Sequence, residues 1–148
     1  MPDGRAKPLC FASAARAAAE YQGMGVTTGT LIFIVDDDDA VRDSLRLLLE
    51  AHGMVVEEFN STAEFNAVPR RHPRACLILD LHLPGTGGLD YLASLGEDGP
   101  GLPVIIVTGR GDSASRARAA ELGAVAFLEK PVDDRELLSA IERAIAPP

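Results

Sequence analysis

Asp36, Asp37, Asp80, Thr108 and Lys130 are residue types that together can hold a divalent cation and manage a phosphoryl group. A carboxylate can attack phosphorus, but it and the incoming group are both anionic, so the repulsion between them has to be neutralised. Mg²⁺ does this with oxygen ligands, taking one or two carboxylates and keeping waters for the rest. Asp36 and Asp37 beside Asp80 would supply that ligand set. Lys130 would add positive charge without occupying a metal position, and Thr108 a hydroxyl that donates to a phosphoryl oxygen. Lys7 and Lys130 are the only lysines among 14 basic residues, the others being Arg. A compact, flexible point charge is therefore kept at a place where the rigid fork of Arg would present a different geometry. Asp38 and Asp39, which follow the acid pair, are read as the solvated start of a helix, where the dipole favours acids.

These residues share a position in the sequence pattern. Leu31 to Val35 runs into the acids Asp36 to Asp39, Cys76 to Leu79 into Asp80, Val104 to Val107 into Thr108, and Ala124 to Leu128 into Glu129 and Lys130. Strands that are apolar throughout, without alternation, are buried on both faces of a parallel sheet. In such a sheet all strands point the same way, so the five residues gather at one edge, where open α/β folds hold their ligands.

From about Thr30 the strand–helix alternation repeats five times. The first helix is expected to take Asp38 or Asp39 as N-cap, to present Val41, Leu45, Leu48 and Leu49 on one face, and to stop at Gly53. Val55 to Phe59 is a weaker, peripheral strand. Ser61 to Glu64 has the form of a capping box opening a helix that contains Phe65. A short third helix follows Gly87 and Gly88 with Leu89, Tyr91, Leu92 and Leu95. A fourth is capped by Asp112 or Ser113 and runs to Gly123. A fifth is capped by Asp133 or Asp134 and carries Leu137, Leu138, Ile141 and Ile145. Alternation of this kind gives a doubly wound parallel sheet with helices on both faces.

The chain of 148 residues has the size of one domain, and 47% hydrophobic with 24% charged residues is the composition of an ordinary globular protein. A net charge of -8 argues against direct binding to nucleic acid or to an anionic membrane surface. Cys10 and Cys76 form neither a metal spacing nor a disulfide framework, which fits a reducing cytoplasm. No apolar run approaches transmembrane length. Residues 1–29 stand apart from the alternation. Phe11 to Gln22 is Ala-rich with few large apolar anchors, so residues 1–29 are expected to be a disordered extension, with a docked helix or a true start at Met24 as the alternatives.

Taken together, Val35-Asp36-Asp37-Asp38 with Val41-Arg42, Asp80-Leu81-His82-Leu83-Pro84 with Gly88, Thr108-Gly109, and Lys130-Pro131 resemble the receiver domains of two-component response regulators. The resemblance spans residues 30–146. Its Thr108-Gly109-Arg110-Gly111-Asp112 and Phe127-Leu128-Glu129-Lys130-Pro131 stretches are most similar to the nitrogen-fixation type. It implies a flavodoxin-like α/β fold with five parallel strands in the order 2-1-3-4-5 and five helices. It further implies that Asp80 is the phosphoacceptor, that Asp37 binds Mg²⁺ directly, Asp36 through water and His82 through its backbone carbonyl, and that Mn²⁺ can substitute. Thr108 and Lys130 would serve the phosphoryl group. Thr108 and Phe127 would be the switch pair, Thr108 moving toward the phosphoryl oxygens and Phe127 turning inward. A cis peptide before Pro131 also belongs to the pattern, while Leu83 and Gly85 depart from it without touching the chemistry.

The implied partner is a sensor histidine kinase in the cytoplasm, with the chain catalysing only its own phosphorylation and dephosphorylation. A phosphorylation-dependent homodimer through the fourth helix, fifth strand and fifth helix is expected. The output is not legible. A haloacid-dehalogenase-like phosphatase is the alternative enzyme, since it too uses a strand-end Asp, a Thr or Ser, a Lys and Mg²⁺, but it leaves Asp80 without a role. A pseudo-receiver that binds partners without phosphorylation is the third reading, and the presence of all five site residues speaks against it.

Overall fold

The computed structural model describes residues 29–67, 74–83, 85, 87–97 and 102–146. But for Gly29, the extension expected at the amino end lies outside the described residues. Five strands and five helices alternate: β1 (Leu31–Val35), α1 (Asp39–Ala51), β2 (Val55–Phe59), α2 (Thr62–Asn66), β3 (Ala75–Asp80), α3 (Gly88–Glu97), β4 (Val104–Thr108), α4 (Ser113–Glu121), β5 (Ala126–Glu129) and α5 (Asp134–Ile145). All pairings are parallel and the order is β2-β1-β3-β4-β5, as the resemblance implied.

Successive side chains of a strand point to opposite faces, and the apolar runs divide accordingly. Leu31, Phe33, Val35, Leu77, Leu79 and Ile106 join one core layer; Ile32, Ile34, Cys76, Ile78, Ile105 and Val107 join the other. The first layer is covered by α2, α3 and α4 through Phe65, Tyr91, Leu92 and Ala119. Phe65 meets Phe33 at 5.1 Å and Phe59 at 5.4 Å between ring centroids, both edge-on, the arrangement that aromatic quadrupoles prefer. The second layer is aliphatic and is covered by α1 and α5 through Leu45, Leu49, Leu137, Ala140 and Ile141. Each such buried side chain contributes roughly 1.5–3 kcal/mol of transfer free energy, which is why runs with no polar residue form the centre of the sheet.

The helices begin where the polar punctuation places them. Asp38 caps α1 by accepting from the N–H groups of Ala40 and Val41, Asp112 caps α4 by accepting from Ser115, and Asp133 caps α5 by accepting from Glu136. Ser61 Oγ accepts from Glu64 N–H at 3.1 Å, one half of the expected capping box. The other half is displaced by one residue, Glu64 Oε1 accepting from Asn60 N–H at 2.9 Å instead of from the cap residue itself. The helices α1 and α4 end just before Gly53 and Gly123, both at positive φ. The Lys130–Pro131 peptide is cis.

Candidate phosphoryl and cation site

The register brings the acids together. Val35 pairs with Leu79, so Asp36 and Asp80 leave adjacent strands side by side. Asp80 pairs with Val107, which puts Thr108 one step further along β4, and Thr108 pairs with Glu129, the residue before Lys130. Carboxylate oxygens of Asp36, Asp37 and Asp80 lie within 4.8 Å of one another, with Asp36 and Asp80 buried and Asp37 exposed. Lys130 Nζ donates to Asp36 Oδ2 at 2.9 Å and stands 3.8 Å from Asp80 Oδ1. Asp36 Oδ1 accepts from Asp38 N–H at 2.9 Å, and Asp80 Oδ1 from His82 N–H at 3.2 Å.

The pKa values of Asp80 and Lys130 are both raised. Burial foremost, then the charge of Asp36, raises that of Asp80; the His82 N–H and the Lys130 charge pull it down, and Asp37 pushes it further up. Burial works against the charge of Lys130, but the hydrogen bond and charge of Asp36, followed by Asp80 and Asp38, outweigh it and raise its pKa. One ammonium thus faces three carboxylates. An all-oxygen set with one exposed member fits a hard cation that keeps waters, as Mg²⁺ does, and such a cation would favour the ionised form of Asp80.

Thr108 is wholly buried, and its hydroxyl is engaged within its own loop, accepting from Arg110 N–H at 3.1 Å and donating to the Arg110 carbonyl at 3.3 Å. The same carbonyl lies 3.2 Å from His82 Nε2, so the loops after β3 and β4 are linked. Phe127 is half-buried, with the Arg116 guanidinium 4.7 Å from its ring centroid and Arg116 Nη1 donating to its carbonyl at 3.2 Å. All five residues singled out for chemistry therefore stand at the carboxyl edge. Asp38 is the helix cap and Asp39 lies in its first turn, as expected for acids outside the site.

Arg42 lies within a motif of the sequence, but its role is not legible there. Its guanidinium donates to the main-chain carbonyl of Asp36, to Asp39 Oδ1 and, at 3.3 Å, to Glu58 Oε1. Arg46, one turn along α1, reaches Glu58 Oε2 at 2.8 Å. The readable signal was Glu58, an acid in a largely apolar strand on the face that α1 covers, opposite two arginines spaced by four on that helix.

Residues 32–142 match the family described as Response regulator receiver domain. The transcriptional regulatory protein FixJ of Azorhizobium caulinodans is 40% identical over 114 residues, covering 77% of this chain and 54% of that protein. Full-length FixJ from B. japonicum superposes with a TM-score of 0.71 at 39% identity, over 80% of this chain and 59% of that one. The beryllofluoride-activated NtrC4 receiver domain dimer superposes with a TM-score of 0.72 at 27% identity, over 78% of this chain and 95% of that one. The chain spans about half the length of the curated relatives it matches.

Proposed function

The chain belongs to the response regulator receiver domain family, and from that premise we propose that Asp80 accepts a phosphoryl group in a Mg²⁺-dependent reaction. Receiver domains are signalling modules of two-component systems, not turnover enzymes, and the phosphatase alternative is not favoured by any of these likenesses. The observation that carries the assignment is the placing of Lys130 between Asp36 and Asp80, in a cluster whose three carboxylates lie within 4.8 Å. Asp36, Asp37, Asp80 and the backbone carbonyl of His82 would hold the cation, Mg²⁺ or in its place Mn²⁺. Bound there, the cation neutralises the charge that builds on the phosphoryl oxygens.

The donor is a sensor histidine kinase carrying a phosphohistidine. An oxygen of Asp80 bonds to phosphorus as the P–N bond breaks; the electron pair of that bond stays on the kinase's ring nitrogen, and the ring, already protonated at its other nitrogen, leaves as neutral imidazole. Lys130 stays beside Asp80 and compensates the added charge. Thr108 exchanges the Arg110 carbonyl for a phosphoryl oxygen, and Phe127 turns inward, which alters the face made by α4, β5 and α5. No helix among the described residues is long and apolar enough to cross a membrane, and the net charge of -8 gives no footing for nucleic acid; a cytoplasmic setting is part of the same proposal.

The altered face supports a phosphorylation-dependent homodimer, a reading helped by the dimer that the NtrC4 receiver domain forms when activated. Light scattering should find a monomer without phosphate and a dimer with beryllium fluoride; a monomer in both states removes the dimer. The phosphoacceptor assignment is tested by incubating the chain with acetyl phosphate and Mg²⁺ and measuring intact mass. One added phosphoryl group is expected. Turnover without an adduct would favour a phosphatase, and no reaction a pseudo-receiver.

A further inference from the structure

We infer that Arg42 is a positioning residue for the cation site, an inference that rests on the reading of Asp36, Asp37 and Asp80 as that site. Its guanidinium joins three elements: the Asp36 main-chain carbonyl at the end of β1, the Asp39 carboxylate in the first turn of α1, and Glu58 on β2. The side chain is only 12% exposed, and its far anchor is itself held, because Arg46 takes the second oxygen of Glu58.

The carbonyl that Arg42 grips belongs to the peptide linking Asp36 to Asp37. Asp36 has a second restraint, since its carboxylate accepts from Asp38 N–H and from Lys130. Asp37 is exposed, so its place in the site depends on the backbone that carries it. Fixing the plane of this peptide aims the Asp37 carboxylate at its partners. A planar fork with five donors can serve three acceptors at once, which an ammonium on a flexible stem cannot do with the same geometry.

The sign of the effect separates positioning from charge. A guanidinium bonded to the backbone of a cation ligand opposes a cation electrostatically, so if Arg42 acted through charge alone, its removal would tighten Mg²⁺ binding. Positioning demands the opposite. Loss of a group that orients metal ligands typically weakens metal affinity by about 10- to 100-fold.

The test is calorimetric titration of Mg²⁺ into the full chain at a temperature where circular dichroism shows every variant folded. Arg42→Met should weaken the Mg²⁺ Kd by about tenfold. Arg42→Lys, which keeps the charge and loses the fork, should also weaken it, and Glu58→Gln, which keeps Arg42 and loosens its anchor, should do so to a smaller degree. A Kd unchanged or tightened in Arg42→Met overturns the inference. Should that variant fail to fold, a Kd unchanged in both Arg42→Lys and Glu58→Gln overturns it equally. A general loss of stability would move the melting temperature and leave the Kd of the folded protein as it was. Wild-type protein that binds no Mg²⁺, or an Asp37→Ala variant that binds it as tightly, overturns the site reading itself and this inference with it.

Discussion

Beside β3, a methyl group added to Gly88 would meet the Asp80 carbonyl and Leu81 Cα at 2.7 Å and the Leu81 carbonyl at 2.8 Å. Beside β5, a methyl added to Gly111 would meet Phe127 Cε1 at 2.6 Å and Glu129 Oε2 at 2.8 Å. The distances are alike, but the first set is main chain and the second is the ends of side chains. The acid arm of the site is thus built on backbone and braced by Arg42 and Lys130. The hydroxyl and aromatic arm, with Thr108 and Phe127, rests on groups that can turn. A receiver needs both properties: acids held ready for a cation before it arrives, and a second arm that can answer the new charge.

The largest expected effect would break the acid arm outright. Asp80→Asn removes the oxygen proposed as nucleophile and should abolish the mass increase with acetyl phosphate; an adduct at the wild-type level on this variant would show that the phosphoryl group goes elsewhere. Next is the cation. Three carboxylates held together repel one another, so an ion that binds only the folded chain should stabilise it by about 2.7 kcal/mol at a hundredfold excess over its Kd. Thermal melting should therefore rise with Mg²⁺ in the wild type and stay flat in Asp37→Ala. An equal rise in both would place the ion at another site.

The paired glycine substitutions sharpen the contrast itself. Gly88→Ala forces main chain apart and should cost about 1–3 kcal/mol of stability, the usual range for overpacking. Gly111→Ala should cost less, because the Phe127 ring and the Glu129 carboxylate can rotate aside. Fluorine NMR of fluorophenylalanine-labelled protein would read the displacement of Phe127, and equal melting losses for the two variants would erase the distinction. The smallest effect belongs to Arg116→Gln. A cation over an aromatic face at an exposed site contributes about 0.5–1 kcal/mol, so melting should drop only slightly while the Phe127 fluorine signal moves. A signal that stays in place would show that Arg116 does not hold the ring.

Most of the fold was legible because burial on both faces leaves a local record. β1, β3 and β4 are uninterrupted apolar runs, and Asp38, Ser61, Asp112 and Asp133 sit where the caps were expected. The positions of the site residues were legible for the same reason, since Asp36, Asp80 and Thr108 each end such a run, Asp37 follows Asp36, and Lys130 directly follows the end of β5. What the sequence concealed are contacts between elements. Arg116 with Phe127 joins residues distant along the chain, and no periodicity reports that one will meet the other, while Arg42 with Glu58 leaves only the trace of two arginines spaced by four and a strand acid. Phe127 reads from the sequence as a switch residue that turns inward. The structure finds it half-buried under a guanidinium, a condition that hydropathy does not encode.

Open sheets carry a hazard that closed barrels escape, because each outermost strand offers unpaired backbone to any other chain. Here β2 and β5 are those strands. β5 is only four residues long and ends in an exposed glutamate, Glu129, while β2 carries Glu57 and Glu58, the latter tied to Arg42 and Arg46. Two such edges brought together would crowd carboxylates against carboxylates before many ladder bonds could form. The glutamate that anchors Arg42 therefore also discourages strand-to-strand stacking, and replacing Glu57 and Glu58 with valine should expose the chain to aggregation at concentrations where the parent stays dispersed.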